Sequence, residues 1–230
     1  MKPHSDHTPN AWSTAVTPAP QHPPHSPRET TVNAPGAGLP RYPDFAEDLL
    51  DRAAFVETYW RMPGHLRAGM AGSAHASVQL LVREHAVGLR RIIESLQVWP
   101  GRGLVGDEAC QAAVTIAVHS DHDPPLQRLS LRLLRTAVEQ GEATAAQFAH
   151  LQDRFLLNAL ESQRYGTQFW YDPDSGLKPF LIGDPEGLDA RRAEVGLRPH
   201  AEAFQRLRQY HEAPEPLPAP VPAYADGVAA

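Results

Sequence analysis

The side chains able to do chemistry gather in two short runs and one pair between them. The first run is His119-Ser120-Asp121-His122-Asp123. Imidazoles and carboxylates this close can share a divalent cation, or form an acid–base pair in which a carboxylate fixes the histidine tautomer. The second run is Gln163-Arg164-Tyr165-Gly166-Thr167-Gln168. Its amides and hydroxyls are suited to orienting a substrate by hydrogen bonds. The pair is Asp153-Arg154, with the aspartate beside the buried stripe of a predicted helix. A carboxylate there needs a partner. Arg154, Arg191 or Arg192 would make it a structural ion pair, and His119 would make it an acid–base candidate.

Each group also has a purely structural explanation. Asp123 precedes Pro124-Pro125 and suits a helix N-cap. Asp121 and His122 fall in an exposed turn, and a histidine at a helix C-terminus is favoured by the dipole. On a strand, Gln163, Tyr165 and Thr167 would share one face and Gln168 the other, where they can equally satisfy buried backbone. Gly166 suggests an unusual backbone angle or a close approach. The run Gly101-Arg102-Gly103-Leu104-Val105-Gly106 spells G-x-G-x-x-G but follows a helix rather than a strand, so it is not read as a phosphate loop. No second ligand motif accompanies the histidines, and neither metal ligands nor a cofactor are assigned. The candidate catalytic residues are therefore His119, Asp121 and Asp153. The candidate substrate-binding residues are His122, Arg154, Gln163, Tyr165, Thr167, Gln168 and Arg191.

The elements that must hold these groups are mostly helical. Phe45, Leu49, Ala53, Val56 and Trp60 recur at three- and four-residue steps, which predicts a helix from Asp44 to Trp60 with Asp44 as its cap. Residues 64–72 hold three glycines and read as a loop. A second helix is predicted over Ser73–Gln97, with Val78, Leu81, Val82, Leu89, Ile92, Ile93 and Leu96 inward and Gly88 as a weak point or bend. A third runs from Asp107 to His119 and presents a small-residue face of Ala109, Ala112, Ala113, Ile116 and Ala117. A fourth starts at Pro124 and ends near Gly141, a good C′ residue. Thr144 and Gln147 form a capping-box pattern that opens the fifth. Past Gln163 the helical period is lost. Tyr165–Tyr171 reads as a short strand, Asp172–Gly176 as a turn, and Leu177–Ile182 as the hairpin partner. A short helix from Asp184-Pro185 to Gly196 and a last one from Pro199 to His211 follow. The expected fold is mainly α, a compact helical bundle with a small β-hairpin near the C-terminal end.

Composition sets the frame. Of 230 residues, the first forty hold nine prolines and four histidines, and residues 213–230 hold five prolines. Neither end buries enough apolar surface to offset its ordering entropy. The expectation is disordered tails at 1–40 and 213–230 around one helical domain at 41–212. The net charge of −6 is spread without blocks, so nucleic-acid binding has no electrostatic footprint. Cys110, the sole cysteine, excludes an intrachain disulfide and reads as a buried inert thiol. Neither a signal-peptide pattern nor an apolar run of membrane-spanning length is present. A cytoplasmic protein without membrane association is expected.

In order along the chain, Trp99-Pro100, Leu104-Val105-Gly106, His119 to Asp123, Asp153-Arg154, Gln163 to Gln168, and Arg191-Arg192 to Gly196-Leu197 resemble the motifs of an uncharacterised bacterial family, a domain of unknown function. The likeness covers roughly residues 78–205. Val118 departs from it, since the family usually carries glutamine there, and so does His85-Ala86, where relatives tend to be more polar. The resemblance implies a helical fold and brings no activity.

Two functional expectations stay open. In one, the chain is an enzyme acting on a small polar or peptide-like substrate, with His119 as general base or metal ligand, Asp121 or Asp153 as its orienter, and Gln163, Tyr165, Gln168 and an arginine as substrate clamp. In the other, the chain is a ligand- or protein-binding module and the same residues form a structural hydrogen-bond network.

Overall fold

The computed structural model describes residues 39–70 and 72–212. The tails expected at 1–40 and 213–230, with His4, His7, His22 and His25, lie almost wholly outside the described residues. Within them the chain is mainly helical. The helices are α1 (Pro43–Trp60), α2 (Gly64–Ala68), α3 (Gly72–Leu96), α4 (Arg102–Val105), α5 (Asp107–Val118), α6 (Pro124–Glu139) and α7 (Ala145–Asn158). An antiparallel hairpin, β1 (Phe169–Asp172) and β2 (Gly176–Pro179), comes next, then α8 (Leu188–Glu194) and α9 (His200–His211).

Helix α5 is the centre. It packs against α1, α3, α4, α6 and α7. From Ala109 to Val118 every residue but Gln111 is buried. The expected small-residue face is thus a whole small-residue cylinder, as a helix surrounded on every side requires. Its alanines let the neighbours approach closely, and the large side chains that fill the core come from them: Leu49 of α1, Leu89 of α3, Leu134 of α6 and Leu151 of α7, all fully enclosed.

Local chemistry explains most element ends. Asp123 caps α6, its carboxylate accepting the Leu126 N–H at 3.0 Å. Thr144 and Gln147 form the expected capping box on α7. At the end of α6, Gly141 takes φ +75°, and Glu142 and Gly141 donate their N–H groups back to Ala137 and Val138. Asp44 does not cap α1: the helix begins one residue earlier, with Tyr42 in the cap position and Pro43 in the first turn. The glycine-bearing stretch 64–72 is not all loop, because Gly64–Ala68 winds into a short helix against β1. Gly64 is there for closeness, since a Cβ would fall 2.2 Å from the Tyr171 ring. Gly88 likewise does not interrupt α3. It makes room for Arg52, whose guanidinium lies 2.3 Å from where a Cβ would stand.

The hairpin is shorter than expected. Trp170 pairs with Lys178 and Tyr171 with Leu177, and Asp172 closes the turn by accepting the N–H groups of Asp174 and Ser175. Residues 164–168 are not strand, so the predicted alternation of their side chains between two faces does not occur. Gln163 alone makes a bridge, to Ile182.

Candidate functional site

The first polar run sits where α5 turns into α6. The last α5 carbonyls, of Ala117 and Val118, accept hydrogen bonds from the Gln127 side-chain amide at 3.2 and 3.3 Å. Gln127 also reaches Asp121, and Asn158 of α7 donates to both Gln127 and Asp121 at 2.8 Å. Arg154, on α7, grips Asp121 with two N–H groups, Nε to Oδ1 at 2.7 Å and NH2 to Oδ2. Burial pushes the Asp121 carboxyl up, but the Arg154 guanidinium and the Asn158 amide outweigh it and hold the group below the usual carboxylate range. Asp123 behaves alike: burial raises it, and Arg90, at 2.7 and 2.8 Å, and the Leu126 N–H bring it below. His122 is half-buried, and burial followed by nearby Arg83 lowers its pKa.

His119 is the C-cap of α5, and its ring stacks on Trp60 at the end of α1, with centroids 4.5 Å apart and planes 10° from parallel. Its Nδ1 is enclosed and has no hydrogen-bond partner. Burial, then the positive charge of Arg154, drives its pKa down to about 3. The imidazole is neutral at any physiological pH. No hydrogen bond joins His119 to Asp121 or Asp153 among the described residues, so the acid–base pair suggested by the sequence is not assembled.

The second polar run folds around Asp153. This carboxylate has no solvent exposure. It accepts the backbone N–H groups of Arg164 (2.7 Å), Tyr165 (3.0 Å) and Thr167 (2.9 Å) and the Thr167 hydroxyl (2.9 Å). Burial pushes its pKa up, and these four donors pull against that. The partners expected from the sequence, Arg154, Arg191 and Arg192, are engaged elsewhere. Gln163, also fully enclosed, accepts from the Gln168 N–H at 2.9 Å and donates to the carbonyls of Gln168 and Phe180. Gln168 donates to the His150 carbonyl and the Thr167 hydroxyl. The Tyr165 ring is buried with Ala146, Ala149 and Leu197. Gly166 meets both expectations for it: φ is +62°, and a Cβ would lie 2.7 Å from the His200 ring. Arg191 donates to the carbonyls of Arg164, Gly183 and Asp184 and pairs with the Asp184 carboxylate at 2.6 Å. Buried Arg192 donates to the carbonyls of Tyr165 and Arg198, both at 2.6 Å.

The structure therefore divides the candidates. Asp153, Gln163, Tyr165, Thr167, Gln168 and Arg191 are brought together into one self-satisfying knot. His119, Asp121, His122 and Arg154 form a separate corner. Sequence reasoning missed Gln127 and Asn158, although their amides on the inner faces of α6 and α7 were a visible signal. It also missed Trp60 and Arg67, whose relation to His119 crosses too much sequence for any spacing rule. Arg67, of α2, lies over the Trp60 ring at 4.9 Å.

Two other features close off alternative sites. Gly101 and Gly103 surround the Glu142 side chain, and the Gly103 N–H donates to its carboxylate at 2.7 Å, so the apparent phosphate loop is already occupied by an anion of the chain itself. Cys110 is buried and its thiol is pushed up to about 11, mainly by burial, which fits the inert thiol expected. No three His, Cys, Asp or Glu among the described residues are grouped as a metal ion would need. No described helix is long and apolar enough to cross a membrane.

No curated protein and no solved structure matches this chain. A protein-family model does, over residues 48–212, a span that takes in both polar clusters and every helix from the middle of α1 onward. The chain belongs to that family, DUF6624, a family of unknown function.

Proposed function

We propose that this chain is a non-catalytic binding module, in which the Gln163–Gln168 run is architecture and a small polar or peptide ligand is met at the His119 corner. The observation that carries this reading is the Asp153 carboxylate. With no exposure and four donors from the loop it organises, it has no face for a substrate. The loop is built on it as a turn is built on an Asx side chain. Gln163, Gln168, Arg191 and Arg192 then lock the loop to the hairpin and to α8. The enzyme reading ranks second. It asks for a carboxylate on the His119 imidazole, and both carboxylates within reach of that role are committed, Asp121 to Arg154 and Asp153 to the loop. A base with a pKa near 3 is also poorly matched to proton abstraction at neutral pH.

Chemical denaturation of Asp153→Asn and Gln168→Ala tests the assignment. Each removes buried partners and should lower stability by about 1–3 kcal/mol, with the larger loss at Asp153. Wild-type denaturation curves for both would remove the architectural role. Turnover of an identified substrate that is lost in His119→Ala, in a variant that still folds, would put the enzyme reading first.

A further inference from the structure

We infer that Trp60, Arg67, His119 and His211 form a binding site for an oxyanion, the carboxylate or phosphate group of a small ligand. This rests on the reading of the His119 corner as the ligand-meeting side of the molecule. Four elements contribute: the end of α1, the short helix α2, the end of α5 and the end of α9. Arg67 and His119 both lie against the Trp60 ring, and the end of α9 that carries His211 is tied to the end of α1 by the Tyr210 hydroxyl, which donates to the Arg61 carbonyl beside Trp60.

The first reason is a shortage of acceptors. Trp60 Nε1, His119 Nδ1 and His211 Nδ1 are each enclosed and without a hydrogen-bond partner. Buried polar atoms are nearly always paired, and the orphans of the stacked Trp60 and His119 rings, with a third at the adjoining end of α9, ask for a partner. An indole N–H and a guanidinium only donate, and each enclosed Nδ1 donates in the tautomer that carries its proton there. What complements the group is a set of acceptor oxygens.

The second reason is charge. Arg52, Arg61, Arg90, Arg154, Arg191, Arg198 and Arg208 each meet a carboxylate. Arg67 meets none among the described residues. One of its N–H groups goes to the Trp60 carbonyl at 3.0 Å, and the guanidinium rests over the Tyr59 and Trp60 rings. Burial disfavours its charged form. The nearby negative charge of Asp121 is already taken by Arg154, so the cluster keeps a positive excess. A planar guanidinium fork with free N–H groups, partly withdrawn from water, is a good receptor for carboxylate or phosphate. The same fork argues against a cation at this place.

The test uses the full chain in a phosphate-free buffer, titrated separately with sodium phosphate and sodium acetate, with sodium chloride at matched ionic strength as reference. Binding is read by calorimetry, tryptophan fluorescence and thermal midpoint. At least one oxyanion should bind saturably and raise the midpoint above that in chloride. Arg67→Met should weaken this binding by about tenfold or more, while Arg128→Gln, the same charge change on an exposed part of α6, leaves it intact. Trp60→Phe should remove the fluorescence change. If Arg67→Met does not fold, Arg67→Lys replaces it: it keeps the charge, loses the fork, and should bind measurably more weakly. Response to phosphate alone assigns a phosphoryl ligand, response to acetate alone a carboxylate, and response to both a site that reads charge and acceptors only. The inference is overturned if neither anion differs from chloride, or if the Arg67 variants bind as well as the wild type. Those outcomes leave the denaturation of Asp153→Asn and Gln168→Ala untouched, so failure of the site and failure of the architecture are read separately.

Discussion

Three histidines inside this fold are held neutral by their surroundings. Burial is the main cause in each case, lowering His119 and His150 to about 3 and His211 to about 4, with a neighbouring arginine adding to it. The unfolded chain would titrate them near 6.5. Between the two values the unfolded state binds more protons than the folded one, so stability is full above about pH 6.5 and falls as the pH drops towards 4. The lowered carboxyls of Asp121 and Asp123 lose their contribution only as the pH falls through and below the ordinary carboxylate range, and the raised carboxyl of Asp153 works the other way, one group against three imidazoles. Urea midpoints measured from pH 7.5 to 4.5 should therefore decline steadily through the lower half of that range; a flat profile would mean that these imidazoles are reached by protons in the native state. This behaviour was only half legible in the sequence. His119 could be placed on an inner helix face by counting from Ile116. Its ring partner could not, since Trp60 arrives from a helix that ends almost sixty residues earlier and no periodicity connects the two.

At the scale of single elements, α6, α7 and α8 end in the same way, with one residue in the left-handed region and two N–H groups returned to the last turn. Glycine fills the position after α6 and α8, as Gly141 and Gly196. After α7 it is Leu160, at φ +62° and 96% exposed, with Leu160 and Glu161 donating back to Leu157 and Leu156. A leucine pays a steric penalty there that glycine does not. Leu160→Gly should raise the stability of the protein by about 1 kcal/mol, seen as a higher melting temperature; a lower one would show that the leucine side chain has a contact of its own. The starts of α6 and α7 were readable because capping is local: Asp123, Thr144 and Gln147 announce themselves within four residues. The first part of the expected Tyr165–Tyr171 strand, residues 165–168, was misread for the opposite reason. Its aromatic and β-branched content fits a strand, yet the backbone donors of Arg164, Tyr165 and Thr167 are drawn to Asp153, eleven to fourteen residues back, and a carboxylate that gathers three N–H groups leaves none for a ladder.

The molecule as a whole is arranged around α5, and its alanines are a packing constraint rather than a default. Ala113 has no exposure and sits in the part of α5 enclosed on all sides. Ala113→Leu adds volume inside the main core and should cost about 1–3 kcal/mol through forced shifts of its neighbours; unchanged denaturation would show slack in the core. That the fold would be a helical bundle with a late hairpin followed from the apolar periods alone. That one helix would be the axle did not, because a small-residue stripe and a small-residue cylinder look alike until the neighbours are counted. The placing of α5 also sets a timetable for synthesis. The most extensive packing partner of α1 is α5, so the apolar face of α1, complete at Trp60, has at most α3 and α4 to cover part of it until Val118 has been made. At about 5–20 residues per second, α1 waits several seconds on the ribosome without its main cover, which makes this helix an early stretch for a chaperone to meet.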